Sequence, residues 1–154
     1  QRREWTHEGE LEWWVTERHE HRGVQHLVGE LNRVLRGEPA LHQVDFDADG
    51  FEWIEADDRD NGVIAFLRKS RSGEPVMVVC NLTPVPRQNH CLGVPRAGTW
   101  QEILNSDAQP FGGSGWGNLG AVRTAPLRSH GHAHALCLTL PPLATLYLKR
   151  DADV

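Results

Sequence analysis

The sequence lacks the features that would assign it to a membrane, a secreted or a nucleic-acid-binding class. No apolar run approaches the roughly 20 residues that a membrane-spanning helix needs. No basic start followed by a short apolar stretch marks a secretion signal. Lys and Arg number 16 against 21 Asp and Glu, which gives a formal net charge of -5. Because binding of nucleic-acid phosphates rests on clustered basic side chains, we predict a cytoplasmic protein with neither a nucleic-acid nor a membrane partner.

Cysteine and methionine are also scarce. The three cysteines, Cys80, Cys91 and Cys137, are widely spaced and form no C-x-x-C pair, so neither a zinc knuckle nor a redox pair is indicated. Reduced thiols are the simplest interpretation in a cytoplasmic protein. The only methionine is Met77 and the chain begins at Gln1. We therefore expect that the chain was processed or cut, or that its start is missing.

An amphipathic helix is the clearest element that is present. Apolar residues recur at i, i+3, i+4, i+7, i+10 and i+11, which is one stripe on a helix of period 3.6; they are Val24, Leu27, Val28, Leu31, Val34 and Leu35. Gly37 follows the stripe and Pro39 prevents continuation. We predict a helix over residues 22–36, which must pack on the rest of this chain or on a missing part.

From about Phe51 onward, short β-rich runs alternate with turn clusters, a pattern typical of an antiparallel β-sandwich or barrel. The predicted strands are residues 51–55, 63–69, 76–82, 88–94, 99–104, 135–140 and 144–148. The run VMVVCNL is apolar throughout and predicts a central strand. HALCLTL instead alternates, with its three leucines on one face.

The segment DFDADG begins like a calcium-binding EF-hand loop. Asp45, Asp47, Asp49 and Gly50 occupy positions 1, 3, 5 and 6, but position 12 is Ala56 where the loop needs a bidentate Glu. A strand pattern rather than a helix follows. We therefore predict an acidic turn between helix and strand, with the calcium-dependent structural module kept as an alternative.

Histidines form a second pattern that suggests a metal. His130, His132 and His134 alternate, and on a strand they would share a face. No fourth ligand is evident nearby, so we predict a solvated histidine patch, and the same holds for His19 and His21. Neither G-x-S-x-G nor a phosphate loop occurs, so no catalytic residue, metal site or cofactor is predicted.

Tryptophan is abundant, with six residues against one tyrosine. Indole faces stack on sugar rings, and exposed Trp beside acids or amides is a common carbohydrate-binding arrangement. Trp100 is predicted to lie in the core. Trp53 is predicted to be partly exposed at the start of the sheet, whereas Trp5 and Trp116 lie in predicted loops.

Several segments together resemble the C-terminal part of the 1,4-α-glucan (glycogen) branching enzymes of the α-amylase superfamily. They are REWTHEGELEWW, HRGVQHLVGELNRVLRGEPALHQVDFDADGFEWI, NLTPVPR, EILNSD, GSGWGN and LTLPPLATLYL, in that order along the chain. The resemblance implies a mainly β fold: an amylase-type antiparallel β-sandwich (residues 43–154) preceded by the end of a (β/α)8 barrel with its last helix (residues 1–42).

The same resemblance implies a function. Family members cut an α-1,4 bond and transfer the chain to a 6-hydroxyl by a retaining, two-carboxylate mechanism. Their catalytic carboxylates lie upstream of the R-E-W segment, so this part is expected to be inactive alone and to support the barrel. The resemblance implies glucan binding at Trp53 and, as an extension, at Glu4 and Trp5; Trp116 is a further candidate contact because of its predicted loop position. The expected partners are α-glucan and the missing N-terminal and barrel domains; the alternative is a stand-alone glucan-binding β-sandwich.

Overall fold

The computed structural model describes Trp5 and residues 7–151, and within them it has one α-helix and eight β-strands. Helix α1 is His19–Gly37. The strands are β1 (Phe51–Asp58), β2 (Val63–Lys69), β3 (Pro75–Asn81), β4 (Arg87–Val94), β5 (Thr99–Asn105), β6 (Ala121–Arg123), β7 (His134–Leu140) and β8 (Ala144–Arg150). Short 3-10 turns precede and follow the helix, at Trp13–Glu17 and Pro39–Leu41.

The strands form two antiparallel sheets. The large sheet has the order β1-β2-β3-β8-β5-β6, and the small sheet pairs β4 with β7. Apolar side chains from the two facing surfaces pack together, among them Leu67 and Leu148 from the large sheet and Leu92, Leu136 and Leu138 from the small one. All five are fully buried. The predicted antiparallel β-sandwich is therefore confirmed.

Local pattern located the strands well. VMVVCNL lies mostly in β3, between β2 and β8 in the middle of the large sheet, with nearly every side chain buried. HALCLTL is β7, and its three leucines face the core. Strand β6 was missed, because its three residues are too few to display an alternation.

Helix α1 extends the predicted range by three residues at its start and one at its end. It packs beside the 3-10 turn Gln109–Phe111, where Gly23 approaches the Phe111 carbonyl so closely that a Cβ would lie 2.4 Å from the oxygen. Val34 is buried. However, Val24 and Val28 of the same apolar stripe are more than half exposed, so the described chain covers only part of the stripe.

The prediction of reduced thiols is wrong for two of the three cysteines. Cys91 and Cys137 are direct cross-strand partners on β4 and β7 and are joined as a disulfide, whereas Cys80 is a free thiol. Sequence spacing alone hid this pairing, because 46 residues separate the two cysteines along the chain.

Within the described residues, no helix has both the length and the apolar character needed to cross a membrane.

Candidate functional site

Trp53 lies on β1, the edge strand of the large sheet, with its side chain 56% exposed. Its cross-strand partner is Phe66 on β2, and the ring of Phe51 lies 4.9 Å from the Trp53 ring, centroid to centroid, in a T-shaped contact. Phe66 makes a second T-shaped contact at 5.8 Å. These neighbours support the indole from the protein side, so that it remains an exposed aromatic surface on a strand. The predicted partial exposure of Trp53 is confirmed.

The strand register is irregular immediately after Trp53. The pairing of β1 with β2 shifts between Trp53 and Glu55 and again before Asp58. Such bulges are frequent at sheet edges, where they increase the local twist and limit pairing with another strand. The irregular edge presents Trp53 without offering a regular strand for edge-to-edge association.

Acidic side chains of β1 bind the loop that carries the histidines. Glu52 Oε1 lies 3.0 Å from His132 Nε2, and Glu55 Oε2 lies 3.1 Å from His130 Nε2. Lys69 forms an ion pair with Glu52 from β2. These contacts fasten β1 of the large sheet to the loop that leads into β7 of the small sheet.

The two glutamates titrate below their ordinary range. Burial by itself raises the pKa of Glu52, but Lys69 and His132 together outweigh burial, and the net pKa is lowered from 4.5. For Glu55, burial again raises the pKa, and the Asp57 amide and His130 lower it to a net value below 4.5. Both groups are therefore held as carboxylates at neutral pH.

Of the histidines predicted to be solvated, His19 and His21 are exposed, but His130 and His132 are not simply solvated. His130 and His132 are largely covered, with side-chain exposures of 22% and 17%, and each contacts a glutamate. His130 has φ near 50°, so this part of the loop is not a strand on which three rings would share a face. Within the part of the chain that the structure describes, no group of three or more His, Cys, Asp or Glu is arranged to hold a metal ion.

The acidic segment before β1 is a turn, as predicted. Asp47 Oδ1 accepts a hydrogen bond from the Asp49 amide at the start of a short 3-10 turn, and Asp45 pairs with Arg68 at 2.7 Å. Gly50 is needed for close approach, since a Cβ there would lie 1.9 Å from the Val44 carbonyl oxygen. The Asp45 and Asp47 carboxylates thus serve local structure.

Trp116 lies in the loop between β5 and β6, and hydrogen bonds fix this loop at several points. Asp107 accepts hydrogen bonds from the backbone amides of Ser114 and Trp116, at 2.9 and 3.2 Å. Asn105 Nδ2 donates to the Trp116 carbonyl at 2.7 Å. The loop backbone passes so close to these groups that a Cβ at Gly113 or Gly117 would lie within 3.0 Å of them. The Trp116 side chain is 41% exposed.

A groove of about 450 Å³ runs beside this loop. Trp116 and Leu119 line it with apolar surface, and Glu102, Asn105 and Asn118 line it with polar groups. Asn118 also donates to the Thr139 carbonyl and accepts from the Thr139 amide, at 3.1 and 2.8 Å. The Asn118 side chain therefore joins the loop to β7 of the small sheet.

The predicted site residues are not gathered in one place. Trp53 lies on β1 and the Trp116 loop follows β5, which is four strand spacings away in the large sheet, or about 20 Å at the usual interstrand distance. Trp5 is fully exposed in the N-terminal segment, and Glu4 lies outside the described residues. Trp100 is confirmed as a core residue with no exposed surface.

Sequence reasoning missed the polar residues around Trp116. Glu102, Asn105 and Asp107 belong to the segment EILNSD, where polar residues at the end of a strand precede a glycine-rich loop. That succession is a signal for a side-chain-supported loop, but the partners across the loop are visible only in three dimensions.

Comparison with known protein families agrees with the observed all-β fold. A family model described as "Alpha amylase, C-terminal all-beta domain" matches residues 53–151. The 1,4-alpha-glucan branching enzyme GlgB of Aromatoleum aromaticum is 62% identical over 99% of this chain and 24% of its own length. The enzyme of the same name from Albidiferax ferrireducens is 63% identical over 95% of this chain and 24% of its own length. The enzyme of the same name from Aquifex aeolicus is 50% identical over 97% of this chain and 24% of its own length. The chain thus spans about a quarter of the length of these relatives.

Proposed function

Because the chain belongs to the family of alpha-amylase C-terminal all-beta domains, we propose that it is the C-terminal region of a 1,4-α-glucan branching enzyme. The observation that carries this proposal is the identity of 62% across nearly the whole chain to a protein of that name. In the complete protein, an α-1,4 bond of glucan is cut and the released chain is joined to a 6-hydroxyl. The catalytic carboxylates of this retaining reaction lie outside the chain, in the cytoplasmic parent protein.

The role proposed for residues 1–42 is the end of the catalytic barrel, and for residues 43–154 the C-terminal β domain. The exposed side of helix α1 supports this division. Val24, Val28 and Leu35 are each about half exposed along one helix, and an apolar face of that kind is normally covered in a folded protein. The proposed cover is the remainder of the barrel, so the helix connects the β domain to the catalytic domain.

Trp53 is the glucan contact that we propose with the strongest structural support. A sugar ring has an apolar face that stacks on an indole, and Trp53 offers such a surface already supported by Phe51 and Phe66. Its carboxylate neighbours on β1 are engaged by histidines and Lys69. The proposed task of Trp53 is therefore to hold a glucan chain by stacking, at a distance from the reaction. Trp5 and Glu4 are proposed as further contacts near the barrel rim.

A branching assay tests the proposal directly. The 154-residue chain incubated with amylose is expected to produce no α-1,6 linkages, since the proposed catalytic carboxylates lie outside it. In the full-length enzyme, Trp53→Ala is expected to weaken binding of long glucans about ten-fold, with an unchanged melting temperature, because the side chain is exposed. A matched Leu82→Ala variant, at another exposed apolar side chain of the β domain, controls for general loss of exposed apolar surface. Turnover by the isolated chain, or a large fall in melting temperature for Trp53→Ala, would contradict the proposal.

The alternative of a stand-alone glucan-binding module is favoured by one observation, the β-sandwich core that closes without help from the helix. It requires the purified chain to remain monomeric with its helix face exposed. Sedimentation of the chain, alone and with the upstream domains added, separates the two functions: association with those domains supports the branching enzyme.

A further inference from the structure

The groove beside Trp116 has the composition of a saccharide subsite on the opposite edge of the sandwich from Trp53. A sugar ring presents an apolar face of C–H groups and a rim of hydroxyls, so its site combines a flat aromatic with a few fixed polar groups. Trp116 provides the aromatic surface, and Glu102, Asn105 and Asn118 provide the polar lining. The groove volume of about 450 Å³ lies within the range of small-ligand sites, roughly 300–1,000 Å³.

The polar groups are positioned before any ligand arrives. Glu102 Oε2 accepts from Asn118 Nδ2 at 2.9 Å, and Glu102 Oε1 accepts from Asn105 Nδ2 at 3.3 Å. A carboxylate has about four lone-pair positions, so each oxygen retains capacity for one hydroxyl donor. Preorganised acceptors reduce the ordering cost of binding, and a glucan hydroxyl is the donor that suits them.

The conformation of Leu119 is the observation that sets this loop apart from a merely structural turn. Leu119 has a left-handed φ of 57° and its side chain is fully exposed. A branched non-glycine side chain is costly there, and exposure of a leucine brings no stabilisation to the isolated fold. Leu119 lines the groove together with Trp116, so the loop presents two apolar side chains around a polar lining.

We propose that the Trp116 groove binds a segment of α-1,4-glucan, with Trp116 and Leu119 contacting ring faces and Glu102 accepting sugar hydroxyls. The choice of glucan as ligand rests on the proposed function. The Trp53 and Trp116 surfaces are about 20 Å apart along the large sheet. They are therefore separate contacts, and a long chain can engage both and gain avidity from the second.

The experiment is a titration of the 154-residue chain with maltoheptaose, followed by the NMR signals of the Trp116 and Trp53 indole N–H groups and the Asn118 side-chain amide. The Trp116 and Asn118 signals are expected to shift together in a saturable way. Trp116→Ala is expected to weaken that binding about ten-fold, and Glu102→Gln to weaken it several-fold. Trp13→Ala is the matched control, because Trp13 is an exposed indole of the isolated chain outside the groove, and it is expected to leave the Trp116 response unchanged.

The Leu119→Gly variant distinguishes an effect on glucan binding from an effect on fold stability. Glycine adopts the left-handed conformation without strain, so the melting temperature is expected to stay the same or rise while maltoheptaose binding weakens two- to five-fold. Unchanged binding by both Trp116→Ala and Leu119→Gly would overturn the proposal. A response of the Trp53 signal alone would also overturn the proposal of a Trp116 site, but it would leave the proposed function intact. No response at any signal also overturns it, and branching by the full-length enzyme then decides the proposed function separately.

Discussion

The β-sandwich and the helical segment before it use their apolar residues in opposite ways. The sandwich buries Trp100 completely between its two sheets, together with the leucines that surround it. The helical segment leaves Trp13, Val24 and Val28 more than half exposed. A region that buries its own core can fold by itself, whereas one that exposes an apolar face requires another surface for its full stability. Within the described residues, the sandwich thus covers its own inter-sheet core, whereas the helical segment leaves an apolar face uncovered.

The largest expected difference between the two regions is the change in the free energy of unfolding when a tryptophan of each is replaced. Trp100→Ala is expected to lower the free energy of unfolding by about 3–5 kcal/mol, because it removes a fully buried side chain and leaves a cavity. Trp13→Ala, at a side chain that is 65% exposed, is expected to change it by less than about 0.5 kcal/mol. Urea unfolding of both variants measures the difference. Equal losses would show that the helical segment has a core of its own.

The second largest effect on stability is expected from reduction of the disulfide, which joins the two strands of the small sheet. Reduction of Cys91–Cys137 is expected to lower the free energy of unfolding by about 2–4 kcal/mol, since the cross-link restricts the unfolded chain. Thermal unfolding with and without dithiothreitol measures this effect. Under denaturing conditions, thiol titration is expected to detect one free thiol, that of Cys80. Detection of three thiols before reduction would show that Cys91 and Cys137 are not bonded, and that the sequence-based prediction of reduced thiols is correct.

The two sides of helix α1 provide a smaller and more local comparison. Val34 is 4% exposed and Val28 is 51% exposed. Val34→Ala is expected to cost about 2 kcal/mol in the isolated chain, whereas Val28→Ala is expected to cost about 0.5 kcal/mol or less. In the full-length protein, the Val28→Ala cost is expected to rise toward that of Val34→Ala as the barrel covers it. A Val28 effect that is equally small in both contexts would argue against the proposed barrel contact.

The smallest expected effect is a pH dependence that belongs to the sandwich. Burial lowers the pKa of His90 below 6.5, and the opposing attraction of Asp58 and Glu55 does not reverse this; His130 and Arg87 lower it further. As the pH falls below 6.5, the unfolded chain binds a proton that the folded His90 resists, so stability falls. His90→Gln is expected to flatten the stability profile between pH 7 and pH 5. A wild-type profile that rises on acidification would contradict this assignment.

Much of the fold was predictable because its signals are local. The alternation in HALCLTL and the apolar run VMVVCNL each fix a strand and its burial from a few neighbouring residues. The stripe on α1 fixed the helix in the same way. The candidate sites were less predictable, because the exposure of Trp53 depends on its partner strand, and the Trp116 groove depends on Glu102 and Asn118, which are 16 residues apart.

The residue pattern was sufficient for the order of the elements, for the apolar face of each strand and for the family to which the chain belongs, since each of these is encoded in neighbouring residues. Tertiary structure was required to pair Cys91 with Cys137 and to bring His132 to Glu52, which are 80 residues apart. It also decided which residues of the α1 stripe are exposed and which are partly or fully covered. Strand register and helix docking arise from packing between distant segments, and a linear pattern does not specify which distant segments will meet.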